Sequence, residues 1–175
     1  TGVQTCALPI WLEKEVEPSA TGCDRIDFLF EPNPGEPSRP LREIASSGEI
    51  ARVMLAVKAV LAAHDAIPVL VFDEIDSNIG GEVGRAVGEK LRAVAAHHQV
   101  IAITHLPQSA VFGDRHLVVS KSVSGGRTRT SIREISGDDR VAEIARMLGG
   151  VKLTSVVTVH ARELLALAGR ISGQK

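Results

Sequence analysis

Two short apolar runs constrain this chain more than anything else in it. Val69-Leu70-Val71-Phe72 is followed at once by Asp73-Glu74, and Val100-Ile101-Ala102-Ile103-Thr104 is followed by His105. Each has strand length, and unbroken apolar character marks strands covered on both faces of a parallel sheet. Between them Gly80-Gly81 punctuates a turn, and 82–97 carries Val83, Val87, Leu91 and Val94 on one helical face. Strand, helix, strand is a crossover unit. The chain is therefore predicted to be α/β, with a mostly parallel sheet flanked by helices. Ligands of such sheets gather at the carboxyl ends of strands, where Asp73, Glu74 and His105 stand.

The surrounding sequence supplies the other elements. Residues 25–30 read as a strand. The stretch 31–40, EPNPGEPSRP, holds four prolines and reads as a loop. Ser46 or Ser47 caps a helix running to about His64, with Glu49 in its first turn and Ile50, Val53, Val57, Val60 and Leu61 at 3–4 spacing. Residues 116–123 and 127–135 flank Ser124-Gly125-Gly126, a hairpin signal. Asp138 or Asp139 caps a helix stopped by Gly149-Gly150, and a last helix spans about 155–169.

Composition narrows the function. At 175 residues, 44% hydrophobic and 23% charged, the chain suits one soluble domain. A net charge of −1 announces neither a nucleic-acid surface nor a basic membrane patch. Four Phe, one Trp and no Tyr leave little for base stacking. The two cysteines, Cys6 and Cys23, form no metal cluster and suit a reducing compartment. No apolar run reaches the ~20 residues of a bilayer span, so a cytoplasmic location without a membrane partner is expected.

Three features carry chemistry, and each has a plainer structural reading beside it. In VLVFDEID, adjacent carboxylates point in different directions, so one can help hold hydrated Mg²⁺ while the other orients a water; the plain reading is a capped turn. In ASSGE, Ser46, Ser47, Gly48 and Glu49 open a helix whose N–H groups, hydroxyls and dipole suit phosphate; the plain reading is an ordinary N-cap. Thr104-His105 offers a donor for a γ-phosphate or lytic water, or a structural histidine. His97-His98 reads as an exposed helix end, and Arg129 and Arg133 as an exposed hairpin face. His64 and His116 show no partner in sequence.

In this order the features resemble the C-terminal lobe of an ABC-type ATPase head. FLFEPNPGEP, LREIASSGEIARVMLAVKAVLA, VLVFDEIDSNIGG, HQVIAITHLPQSA and RVAEIARMLGG resemble the RecN family of SMC-like bacterial DNA-repair ATPases over roughly four fifths of the chain. The resemblance implies ATP and Mg²⁺ as cofactors. It puts Ser46, Ser47, Gly48 and Glu49 in the signature motif that contacts ATP on the opposite head. It makes Asp73 the Walker B acid that holds Mg²⁺, Glu74 the general base, and His105 the γ-phosphate switch. Ser77 and Asn78 fall in the loop that crosses the head dimer. Ser47 stands where the family has glycine, which raises a question of backbone conformation. At Asn78 the departure is milder, because asparagine tolerates the left-handed region.

The chain has no G-x-x-x-x-G-K-[ST] motif. It is therefore expected to be half a head, inactive alone, with a sheet left open where an N-terminal lobe carrying the P-loop would continue it. The implied partners are that lobe, a second head in an ATP-dependent homodimer, and DNA. Expected organisation is an atypical segment 1–23 (1–11 non-native), the lobe at 24–170 and a tail at 171–175; the expected location is nucleoid-associated. The alternatives are a head of another SMC or ABC ATPase acting in chromosome organisation, and a degenerate, non-catalytic nucleotide-dependent binding module.

Overall fold

The structure, a computed structural model, describes residues 10–20, 22–31, 35, 37–43, 46–124, 126–149 and 154–172. Cys6, Ala45, Gly125, Gly150 and much of the proline-rich loop lie outside the described residues. Two compact units divide the chain, Thr1–Ile50 and Ala51–Lys175.

In the first unit, β1 (Ile10–Ser19) pairs antiparallel with β2 (Gly22–Phe30), and β2 with the two-residue β3 (Arg39–Pro40). The stretch 12–23 carries no clear helical or strand period. Its hydrophobic alternation is weak, and the strand exists because β2 supplies a ladder. The register breaks between Lys14 and Ser19, the stretch that contains Pro18, which has no N–H to give. Gly22 turns the hairpin at φ +114°. The loop expected over 31–40 ends in β3, where Pro40 occupies an edge strand, the position in a sheet that proline tolerates.

The second unit holds the crossover. Helix α1 (Ser47–Leu61), whose first turn falls in the first unit, leads to β4 (Val69–Phe72). Then come α2 (Gly81–Val94), β5 (Gln99–Ala102) and the single-turn α3 (Pro107–Ala110). The hairpin β6 (His116–Ser124) and β7 (Arg127–Ile135), with α4 (Gly137–Gly149) and α5 (Ser155–Ser172), complete it. β4 and β5 pair parallel, Val69 opposite Gln99 and Phe72 opposite Ala102. Among the described residues this is the one parallel pair; the other strands pair antiparallel.

The strand cores differ from the expectation of cover on both faces. Leu70 and Phe72 are buried with Leu55 of α1, Ile75, and Val87, Leu91 and Val94 of α2. Val69 and Val71, on the opposite face, are exposed, as are Ile101 and Ile103. Much of the stripe expected to be the inner face of α1 also lies open: Ile50, Val57, Val60 and Leu61 are exposed, and the helix packs inward through Leu55 with Ala51 and Ala59 beside it. A second cluster joins Val111 and Phe112 to Ile144 and Ala145 of α4 and Ala161 and Ala168 of α5.

Two glycines of α2 let α3 approach. A Cβ at Gly84 would meet Leu106 at 2.8 Å, and one at Gly88 would meet the Phe112 ring at 2.4 Å. Ser109 Oγ donates to the Gly84 carbonyl at 2.8 Å. Arginines secure the other end of α3. Arg140 of α4 donates to the carbonyls of Val111 (3.2 Å) and Gly113 (2.7 Å), and Arg92 of α2 to that of Phe112 (2.8 Å). The cap expected at Asp138 or Asp139 is Ser136, whose carbonyl accepts from Arg140 N–H; the two aspartates sit in the first turn, where the dipole favours them.

Candidate functional site

The site forms where β4 and β5 end. Parallel pairing carries both chains out at the same edge, and Ile103 N–H still donates to the Phe72 carbonyl at 2.9 Å beyond the last paired residues. Asp73 and Glu74 leave β4 there, and Thr104 and His105 leave β5. All but the half-buried Thr104 are exposed.

The turn after β4 is bent. Glu74 has φ +53° and Asn78 φ +59°, and among the described residues these are the non-glycine positions with positive φ. Asparagine adopts that region readily. For glutamate it carries a backbone cost of order 1–3 kcal/mol, of the kind that persists where surrounding contacts over-determine the chain. Those contacts are visible. Ser77 N–H donates to the Glu74 carbonyl at 3.0 Å. Ile75 is fully buried in the core. Arg52 of α1 donates through Nη1 to the carbonyls of Ile75 (3.2 Å) and Ser77 (3.1 Å).

Asp76 connects this turn to the end of β5. Its side chain is fully buried. Oδ2 accepts from the Thr104 hydroxyl, from His105 N–H at 3.1 Å and from Leu106 N–H at 3.0 Å. His105 Nδ1 stands 3.2 Å from Oδ1. Neither Asp76 nor Arg52 was singled out from the sequence. The available signal was a third acid closing DEID ahead of small residues, with a hydroxyl at the end of the next strand.

Ser46, Ser47, Gly48 and Glu49 stand at the N-terminus of α1. The Ser46 carbonyl accepts from Ile50 N–H at 3.2 Å, so Ser46 caps, and Ser47, Gly48 and Glu49 form the first turn. Ser47 is exposed and Gly48 buried. Ser47 has no positive φ, so serine in place of glycine imposes no left-handed strain there.

Other histidines resolve differently. His98, expected at an exposed helix end, is buried, with Nδ1 2.7 Å from the Ile67 carbonyl; His97 is exposed. Burial holds the His116 pKa below its usual value; Arg140 reinforces this and Glu143 opposes it. Arg133 of the hairpin pairs with Asp139 at 3.0 Å, both exposed. Cys23 is a free, exposed thiol. No helix among the described residues is long and apolar enough to cross a membrane.

Among the described residues no three His, Cys, Asp or Glu side chains converge as a metal cage. Mg²⁺ needs no such cage, since one or two carboxylates with waters and substrate phosphates hold it. Adjacent exposed carboxylates at a parallel strand end fit that donor set.

No protein-family model matches the chain. Individual relatives do. It is 49% identical over 149 residues to the DNA repair protein RecN of Treponema pallidum, covering 85% of this chain. It is 44% identical over 150 residues to that of Halalkalibacterium halodurans, covering 86%. The chain belongs to the RecN family. It spans about a quarter, 26%, of the length of these RecN proteins. Among solved structures, a chain from work on ATP-driven dimerization of SMC ATPases aligns over 79% of this chain and 81% of its own length, at TM-score 0.47 and 18% identity.

Proposed function

We propose that this chain is the C-terminal lobe of an ATP-hydrolysing head in an SMC-like DNA repair protein acting at double-strand breaks. The observation that carries the reading is the exit of Asp73-Glu74 and His105 from adjacent parallel strands at one edge. In this reading Asp73 would hold Mg²⁺, which when bound neutralises charge on the phosphate oxygens. Glu74, exposed in the bent turn just past β4, accepts a proton from the attacking water. His105 senses the γ-phosphate. Ser46, Ser47, Gly48 and Glu49 offer hydroxyls and a helix N-terminus to ATP on a second head, and Ser77 and Asn78 lie in the loop facing that head.

The partners of this reading are a lobe carrying the P-loop, a second head, and DNA, in the cytoplasm at the nucleoid. The open apolar face of β4 and β5 supports the first of these. Val69, Val71, Ile101 and Ile103 are exposed, and a parallel sheet is normally covered on both faces. RecN membership supports DNA.

The test joins this chain to a Walker A lobe and measures ATP turnover with and without Glu74→Gln. A general base contributes typically 10²–10⁴-fold, so turnover should fall by about that factor while ATP still brings heads together. Unchanged turnover removes Glu74 as the base. Mg²⁺-dependent turnover by the 175-residue chain alone, lost in Glu74→Gln, would overturn the half-site reading.

A further inference from the structure

We propose that Asp76 is a positioning residue that fixes the tautomer of His105, holding its proton on Nδ1 and turning Nε2 outward. The carboxylate is fully buried and its two oxygens are used unequally. Oδ2 takes three donors from Thr104, His105 N–H and Leu106 N–H, which ties the end of β5 to the turn after β4. Oδ1 is also buried, and no aligned donor reaches it among the described residues. A buried carboxylate oxygen without a donor is costly. The group at hand is the His105 ring, with Nδ1 3.2 Å away. That ring is 68% exposed and therefore free to make the small rotation that aligns the bond.

Chemistry then sets the tautomer. An ionised carboxylate only accepts, so the facing ring nitrogen must carry the proton. Which nitrogen of a histidine is protonated follows from the hydrogen bond the other makes. With Nδ1–H committed to Asp76, a neutral ring presents a lone pair at Nε2, and donation from Nε2 requires a second proton. The tautomer stands on the geometry alone. Its consequence for sensing phosphate rests on the ATPase reading, in which Nε2 is the atom that meets the γ-phosphate.

Asp76→Asn separates this role from simple support. The amide oxygen can keep the three donors now on Oδ2, while the amide NH₂ takes the place of Oδ1 and donates toward Nδ1. The proton should then move to Nε2. The measurement is ¹⁵N–¹H correlation of imidazole nitrogens in the histidine-labelled 175-residue chain at about pH 8.5, above the ordinary histidine range. His105 signals are assigned by their loss in His105→Gln. The expected result is a protonated Nδ1 and bare Nε2 in the unaltered chain, with the two signatures exchanged in Asp76→Asn. A bare Nδ1 in the unaltered chain overturns the proposal without any Asp76 variant, so a failure of Asp76→Asn to fold does not shelter it. An unexchanged pattern in folded Asp76→Asn also overturns it. Neither outcome depends on ATP hydrolysis, so the tautomer and the ATPase reading fail separately.

Discussion

Gly88→Ala tests the packing that places the end of β5. The added methyl would lie 2.4 Å from the Phe112 ring and 3.1 Å from Ser109 Cα. Ordinary contact begins near 3.4 Å, so the ring must retreat by about 1 Å. Phe112 is buried, and Ser109 Cα is backbone, so rotating one side chain does not relieve the clash. Overpacking of this kind costs about 1–3 kcal/mol. Alanine returns about 1 kcal/mol of helix propensity. Because backbone is involved, the upper part of the overpacking range applies, leaving a net loss of about 1–2 kcal/mol. Gly169→Ala is the control. It is an exposed position of α5, a Cβ there meets nothing within 4 Å, and it should gain about 1 kcal/mol. At about 2–4 °C per kcal/mol for a chain of this size, Gly88→Ala should lower Tm by about 2–8 °C and Gly169→Ala should raise it by about 2–4 °C. Thermal unfolding by circular dichroism reads both. A Gly88→Ala chain as stable as the Gly169→Ala chain would refute the argument that α3 is seated by the absence of a side chain.

Arg140→Met keeps an aliphatic stem but leaves the carbonyls of Val111 and Gly113 without their donor; hydrogen bonds to charged groups put the loss at about 2 kcal/mol, read by urea denaturation. His116 predicts a pH dependence. Its folded pKa lies below the ordinary 6.5, so the unfolded chain takes the proton first. The contribution is full above about pH 6.5 and is lost as pH falls through the folded value. Glu143, held low mainly by its hydrogen bond from Arg146, loses its contribution only below 4.5. Urea midpoints between pH 7 and 5 should therefore fall less steeply in His116→Gln than in the unaltered chain.

The primary sequence was enough to locate the crossover, the hairpin and the helices, because their signals are local. VLVF and VIAIT have strand length, Gly80-Gly81 breaks the chain, and Val87, Leu91 and Val94 share a face whatever they pack against. It also located the acids and the histidine at strand ends, since strand boundaries follow from the same runs. It did not yield β1, whose strand depends on a partner, or the burial of His98, which depends on the carbonyl of Ile67. Nor did it show that Val69 and Val71 of β4, and all of β5 but Val100, lie open. Periodicity says which residues share a face, not whether anything covers that face.

Tertiary structure alone decided the arrangement at the site. Asp76 and Thr104 are separated by 28 positions, and no local pattern pairs them. Parallel pairing of β4 with β5 brings them to one edge, Ile75 anchors the turn in the core, and Arg52 holds its carbonyls. A buried carboxylate must find its donors wherever the fold delivers them. Sequence therefore decides which groups are available, and the ladder between two strands decides which of them meet.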